Sequence, residues 1–208
     1  MGWDNIVSEE GFVNLFNGVD LQGWSMAGRR KFQVIEQERA LKSEDGMGLL
    51  WYTNRMYGDF ILKIDWRVKR RSDNSGVFIR FSDPGADPWN AVKTGYEIQI
   101  DDLALPDGRA EHKTGAIYDI VPPATLASKQ VGEWNTFEIH ALGQNTCNIR
   151  TNHQFEVRWR IVSERLRDVD ASGVDQEINA IKVFDCSIGH FYGRVHFADV
   201  PVHKNEVG

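Results

Sequence analysis

Cysteine is scarce in this chain. Cys147 and Cys186 are the only two in 208 residues, and they show no CxxC or CxxH spacing, so neither a zinc knuckle nor a disulfide-dense scaffold is expected. A bond between them stays open, but free cysteine is among the most buried residue types, and the pair reads first as small core filler. No apolar run approaches the ~18 to 20 residues of a membrane-spanning helix, so no membrane partner is expected. Basic residues are outnumbered: 24 Lys and Arg stand against 30 Asp and Glu, a formal net charge of -6. Proteins that neutralise phosphate backbones concentrate Lys and Arg, so nucleic acid is not expected as a partner either. The one basic run, Lys69 to Arg71, reads as a solvated strand end or turn. Residues Met1 to Glu10 lack the basic start and apolar stretch of a secretory leader; the expectation is a protein that stays inside the cell or one whose leader has been removed. A Ser-His-Asp triad, a phosphate loop and a dinucleotide fingerprint are also missing.

What the chain does contain is a hydrophobic period of two. In Phe60 to Val68 the residues Phe60, Leu62, Ile64, Trp66 and Val68 alternate with more polar neighbours, the mark of a strand with one buried face. Val77 to Phe81, Tyr96 to Asp101, Asn135 to Ala141, Asn148 to Asn152, Phe155 to Ile161 and Arg194 to Val202 repeat it. Between them stand turn signals: Asp73-Asn74-Ser75-Gly76, Asp83-Pro84-Gly85, Pro106-Asp107-Gly108, Pro122-Pro123 and Gly143-Gln144-Asn145. Many short strands with this punctuation predict an all-β, antiparallel sandwich or jelly roll, and 208 residues suit a single domain over 1–208. The stretch from Ser163 to Ala180 is the least strand-like, a long loop or short helix.

Three segments carry polar groups in arrangements that could do chemistry. In Gly95 to Asp102 a strand would send Tyr96, Ile98 and Ile100 to the core and align Glu97, Gln99 and Asp101 on the other face, a row of acceptors able to grip a polyol or simply a solvated surface. In Asn74 to Arg80, Phe78 and Arg80 would share the non-core face. An arginine there could orient the carboxylates, bind a substrate oxygen with Asn74, or form an ordinary ion pair. In His112 to Asp119, His112 is a candidate acid, base or metal ligand, though a loop histidine is more often just exposed. Tyr118, Trp89 and Trp134 could supply flat surfaces for sugar rings, with core packing as the plainer reading of each.

Taken together, the motifs Gly11 to Trp24, Asn74 to Arg80, Tyr96 to Asp102, Gly115 to Tyr118 and Gly132 to Asn135 resemble, in order, those of the 3-keto-disaccharide hydrolase-type domain. The resemblance is strongest over residues 11–142. Farther on the chain departs from the pattern, reading Asn152-His153-Gln154 where an Asn-Gly turn is usual, and Ala198 where an arginine is common. The resemblance implies a concanavalin-like jelly roll and action on glycosides oxidised at C3, by hydrolysis or by elimination and hydration. Such a reaction needs a base, a holder for the enediolate oxygen and an acid for the leaving group. Glu97, Asp101 and Arg80 are the candidates, with His112 as a further acid and Asn74, Gln99, Tyr118, Trp89 and Trp134 as binding residues. A divalent cation is a second way to hold the oxygen, because carboxylate and amide oxygens suit hard ions and imidazole a transition metal. The competing readings are a carbohydrate-binding module without turnover on the same face, and a purely structural sandwich.

Overall fold

The computed structural model describes residues 12–29, 31–43, 46–143, 146–152, 154–160, 182–188 and 191–199. The strands in chain order are β1 (Val13–Asn14), β2 (Trp24–Gly28), β3 (Phe32–Ile35), β4 (Ala40–Ser43), β5 (Gly48–Tyr52), β6 (Phe60–Val68), β7 (Asn74–Ile79), β8 (Tyr96–Ile100), β9 (Asn135–Leu142), β10 (Thr146–Thr151), β11 (Gln154–Arg160), β12 (Lys182–Ile188) and β13 (Phe191–Asp199). One short helix, α1 (Trp89–Thr94), precedes β8. The segment from Ser163 to Ala180 lies outside the described residues.

Eight of these strands form one sheet in the order β11-β10-β9-β6-β13-β4-β3, with β1 also on β13; five form a second, β2-β5-β12-β7-β8. Neighbours within both are antiparallel. Chain-adjacent strands such as β6 and β7 fall in different sheets, and β13 returns between β4 and β6. This is a concanavalin-like sandwich of jelly-roll type, with the sheets stacked over a shared apolar layer.

Alternation explains how that layer forms. Along β6 the odd members Phe60, Leu62, Ile64, Trp66 and Val68 are buried while their neighbours are only partly covered, and β9 repeats the pattern with Phe137, Ile139 and Ala141. From the facing sheet Val77, Ile79, Tyr96, Ile98 and Ile100 complete the same cluster. Each such side chain contributes about 1.5–3 kcal/mol on full burial, so a one-residue slip of β6 would forfeit five at once. The N-terminal segment joins in: Leu15, Phe16 and Trp24 are buried, and Trp24 Nε1 donates to the Leu15 carbonyl at 3.1 Å.

Strand β7 breaks the rule of one buried face, because Ser75 to Ile79 are all buried. Its outer face is covered by α1, where Phe78, Phe81 and Ala91 pack with Trp51 and Val92 in a second small cluster. The strand also starts earlier than the turn signal predicts. Asp73, buried, takes the Lys69 and Arg70 amides on Oδ2 and Arg70 Nε on Oδ1, closing the turn by itself. Asn74 is then free to begin the ladder, and the basic run is the turn expected of it.

Cys147 is a free thiol buried between the sheets, which settles the disulfide question for this residue. Burial pushes its pKa up to about 12, with Arg80 pulling weakly the other way. The thiolate is the reactive form. Native protein treated with a thiol reagent at pH 8 is therefore expected to leave the Cys147 peptide unmodified by mass spectrometry, and unfolded protein to modify it. Labelling of Cys147 in the native state would contradict the packing.

Candidate functional site

Strand β8 lies at the end of its sheet, and the segment that follows it folds back along its open edge. Gly115 N donates to Gln99 O at 2.9 Å, Gln99 N to Ala116 O at 3.0 Å and Tyr118 N to Glu97 O at 2.9 Å. Tyr118 is thereby stitched beside Glu97. The predicted alternation holds for the strand itself: Tyr96, Ile98 and Ile100 face the core, which sends Glu97 and Gln99 to the other face. On β7, Gly76 pairs with Gln99 and Phe78 with Glu97.

The side chain of Glu97 leans across Gly76, so close that a β-carbon on Gly76 would collide with the carboxylate. In the orientation that satisfies both ends of its amide, Gln99 donates from nitrogen to the Ser75 carbonyl and to Glu97 Oε1, each at 3.1 Å. Gln99 is 2% exposed, so this amide is fixed in place and aims the carboxylate. Asn74 lies within reach of the same amide.

Glu97, Tyr118 and Asp119 line a cavity of about 250 Å³, walled otherwise by Phe78, Val92, Gly95, Tyr96 and Ile120. This is a little under the ~300–1,000 Å³ of drug-sized ligand pockets, a space suited to one sugar ring. Behind it, His112 stacks on Tyr118 with ring centroids 4.5 Å apart and planes at 11°. The two imidazole nitrogens lie 3.3 Å from Asp107 Oδ1 and 3.4 Å from Asp119 Oδ1, and Arg109 bridges Glu111 and Asp119. The Tyr118 phenol is raised in pKa, first by burial and then by the charges of Glu97, Asp119 and Asp107.

Over residues 11–188 the chain matches the family described as the 3-keto-alpha-glucoside-1,2-lyase-like domain. The chain belongs to this family. A crystal structure titled "putative glycosyl hydrolase" from Parabacteroides distasonis ATCC 8503 is similar, with a TM-score of 0.70 and 23% identity over 92% of this chain and 95% of that one. A second from the same organism gives 0.63 and 18% over 91% and 99%. The potassium-bound carbohydrate recognition domain of Emp46p gives 0.55 and 13% over 91% and 96%. At these identities the likeness establishes the fold. No curated protein matches the chain in sequence. Membership of the 3-keto-alpha-glucoside-1,2-lyase-like family supports a carbohydrate-processing role and a sugar ligand.

In this 3-keto-alpha-glucoside-1,2-lyase-like domain, three expected site residues stand away from the Glu97 cavity. Arg80 does not share the outer face with Phe78. Strand β7 ends at Ile79, Arg80 takes a left-handed φ of 57°, and the guanidinium lies 3.6 Å from Asp59 Oδ1 and over the Phe60 ring at the rim of the core. Trp134 stands just before β9 of the other sheet, beneath the guanidinium of Arg67 at 4.7 Å. Trp89 is 53% exposed at the start of α1, one turn before the cavity residue Val92, and so stands outside the cavity wall. Asp119 and Gly76, which the alternation cannot single out, are brought to Glu97 by the fold-back of 114–118 and by strand pairing.

Asp101 is the fourth departure. It follows β8 rather than ending it, is 5% exposed, and its Oδ1 accepts the Leu103 and Ala104 amides at 3.0 and 2.8 Å. Burial raises its pKa, with those two amides opposing. Among the described residues no three His, Cys, Asp or Glu side chains converge as a cation site. With Asp101 turned to its own loop, the described side chains beside Glu97 do not assemble the carboxylate set a divalent cation would use. We therefore expect Asp101→Asn to keep the acceptor, and Asp101→Ala to lose about 1–3 kcal/mol by stranding two amides. The sign of the pH effect follows from the raised pKa. The folded state holds the proton more tightly, so this residue's stabilising share is full below the unfolded value of 3.8 and is lost as pH rises through the folded one. Asp101→Asn should remove that dependence in urea titrations between pH 3 and 7; loss of turnover in a stable Asp101→Asn variant would restore a catalytic role.

Proposed function

We propose that this chain cleaves 3-keto-glycosides by elimination followed by hydration, with Glu97 as the base. The observation that carries this reading is the Glu97 carboxylate, held over Gly76 by the buried Gln99 amide, on a residue that also lines a cavity of one-ring size. A C3 ketone acidifies the C2 hydrogen. Glu97 takes that proton, and the C2–H electron pair moves into the C3 carbonyl as an enediolate. When the carbonyl re-forms, the pair becomes the C1=C2 double bond and the C1–O bond breaks toward the leaving group, whose oxygen takes up a proton. Water then adds at C1, its other proton replacing the one given to the leaving group, and Glu97, whose carboxyl proton has meanwhile exchanged with solvent, protonates C2.

Tyr118 suits the acid. A phenol is protonated at neutral pH and so has a proton to give, and Tyr118 stands at the same wall as Glu97. His112 lies behind the Tyr118 ring and between two aspartates, which makes it a positioning residue in this scheme. Gln99, buried and tied to Ser75 and Glu97, positions the base, and Asn74 beside it is left as a ligand for a sugar hydroxyl.

Incubating the protein with a 3-keto-disaccharide in D₂O tests the scheme. Elimination and hydration put deuterium at C2 of the product faster than the enzyme-free control does. Direct hydrolysis gives product without C2 label, and saturable binding with neither outcome would make this face a binding module.

A further inference from the structure

Beyond the C-terminal end of β8 a second cavity, of about 400 Å³, opens between Arg71, Asp102, Ser128, Lys129 and Gln130. It is a separate place from the Glu97 cavity: from Glu97 to Asp102 the chain runs roughly 16 Å in extended form, and no lining residue is shared. We propose that this cavity binds a sugar acid, a polyol carrying a carboxylate. The proposal does not depend on the reaction assigned to Glu97.

The wall of this cavity is built rather than incidental. Asn135, buried, accepts the Lys129 amide on Oδ1 at 2.8 Å and also Asn152 Nδ2 at 2.8 Å, while the same Nδ2 donates to Ala127 O at 2.7 Å. Ser128 Oγ donates to Asp102 Oδ1 at 2.7 Å, Gln130 N to Glu133 Oε2 at 3.0 Å, and Gly132 N to Val68 O at 3.0 Å. The loop 127–132 is thus pinned along its length. Pinned this way, it holds Leu126 and Val131 in solvent, 65% and 45% exposed, where neither gains from burial in the chain's own core. They border the cavity and offer an apolar edge to the C–H face of a ring.

The polar groups divide between two needs. Asp102 takes both of its hydroxyl donors, Thr114 and Ser128, on Oδ1, which leaves Oδ2 to accept from a sugar hydroxyl. Arg71 stands at the mouth with its guanidinium outside any ion pair or hydrogen bond among the described residues, unlike Arg70, which is held by Asp73. Lys129 sits beside it and is tied to the Trp134 carbonyl. In a chain of net charge -6, a cationic mouth over a carboxylate-lined floor matches a ligand with an anionic group at one end and hydroxyls at the other. A neutral sugar would leave the guanidinium unused, and a bare anion would face Asp102.

NMR titration with glucuronic acid at near-neutral pH, beside glucose and acetate, reads this out. The expected result is saturable movement of amide signals from Arg71 and from 128–131 with glucuronate, with at least tenfold weaker binding of glucose and of acetate. Arg71→Ala should weaken glucuronate about tenfold and Arg71→Lys less, since lysine keeps the charge without the planar fork. Glu97→Gln should leave this binding unchanged, and Arg71→Ala should leave turnover of a neutral 3-keto-glucoside unchanged. Equal binding of glucose, equal binding of acetate, no saturable shift, or indifference to Arg71→Ala would each overturn the proposal. Failure here leaves the reading of Glu97 intact, because the C2 deuterium measurement does not involve this cavity.

Discussion

Glu97→Gln is expected to lower turnover of a 3-keto-glycoside by ~10² to 10⁴, the contribution of a positioned general base, with the fold unchanged. The fold should persist because Glu97 is partly exposed on the face opposite Tyr96 and Ile98 and adds nothing to the core. The amide oxygen of the new side chain can still accept from Gln99, so the local hydrogen bond survives and only the charge and basicity go. Thermal unfolding within a few degrees of the parent, together with loss of C2 deuterium incorporation, is the expected pair of results. Parent-level turnover in a folded variant would remove Glu97 from the chemistry. Unfolding would make the carboxylate structural and shift attention to Asp119 and Tyr118, which share its cavity.

How much of this was legible without coordinates depends on which physical signal each element carries. Strand β6 was plain because one of its faces is buried and the other is not, so period two survives in Phe60 to Val68. Strand β5 was not, because Leu49 and Leu50 are buried in succession and the alternation is lost. The hairpin of β10 and β11 kept its turn in altered form: Asn152 takes a φ of 51°, which asparagine tolerates better than most residues, and the pairing resumes at Gln154. Within the site, Glu97 and Gln99 were readable from strand parity. Parity misplaces the side chains of Arg80 and Asp101 for one reason. Both lie past the last residue of a strand, where a left-handed φ or an Asx-type turn lets a side chain go elsewhere. The stacking of His112 on Tyr118 depends on a tertiary fold-back that no local pattern encodes.

The second large effect is expected from a residue with no side chain. The backbone of Gly76 is not in the left-handed region, and alanine suits a strand at least as well as glycine, so Gly76→Ala places no strain on β7. Its β-carbon would nevertheless overlap the Oε1, Cγ and Cδ positions of Glu97, and the carboxylate is the movable partner. Glu97 must swing off the Gln99 amide and away from its place over Gly76. A displacement of about 1 Å in a reacting group can cost on the order of 10² in rate, and that is the expected fall in turnover. Stability should change little, because the gain of about 0.4–1 kcal/mol from a less flexible unfolded chain offsets part of the cost of moving Glu97. The decisive measurement is the double variant. If Gly76 matters only through Glu97, then Gly76→Ala added to Glu97→Gln lowers turnover no further, a full departure from additivity between contacting residues. If the two losses multiply, Gly76 serves the close approach of substrate to β7 itself, independently of how it seats Glu97.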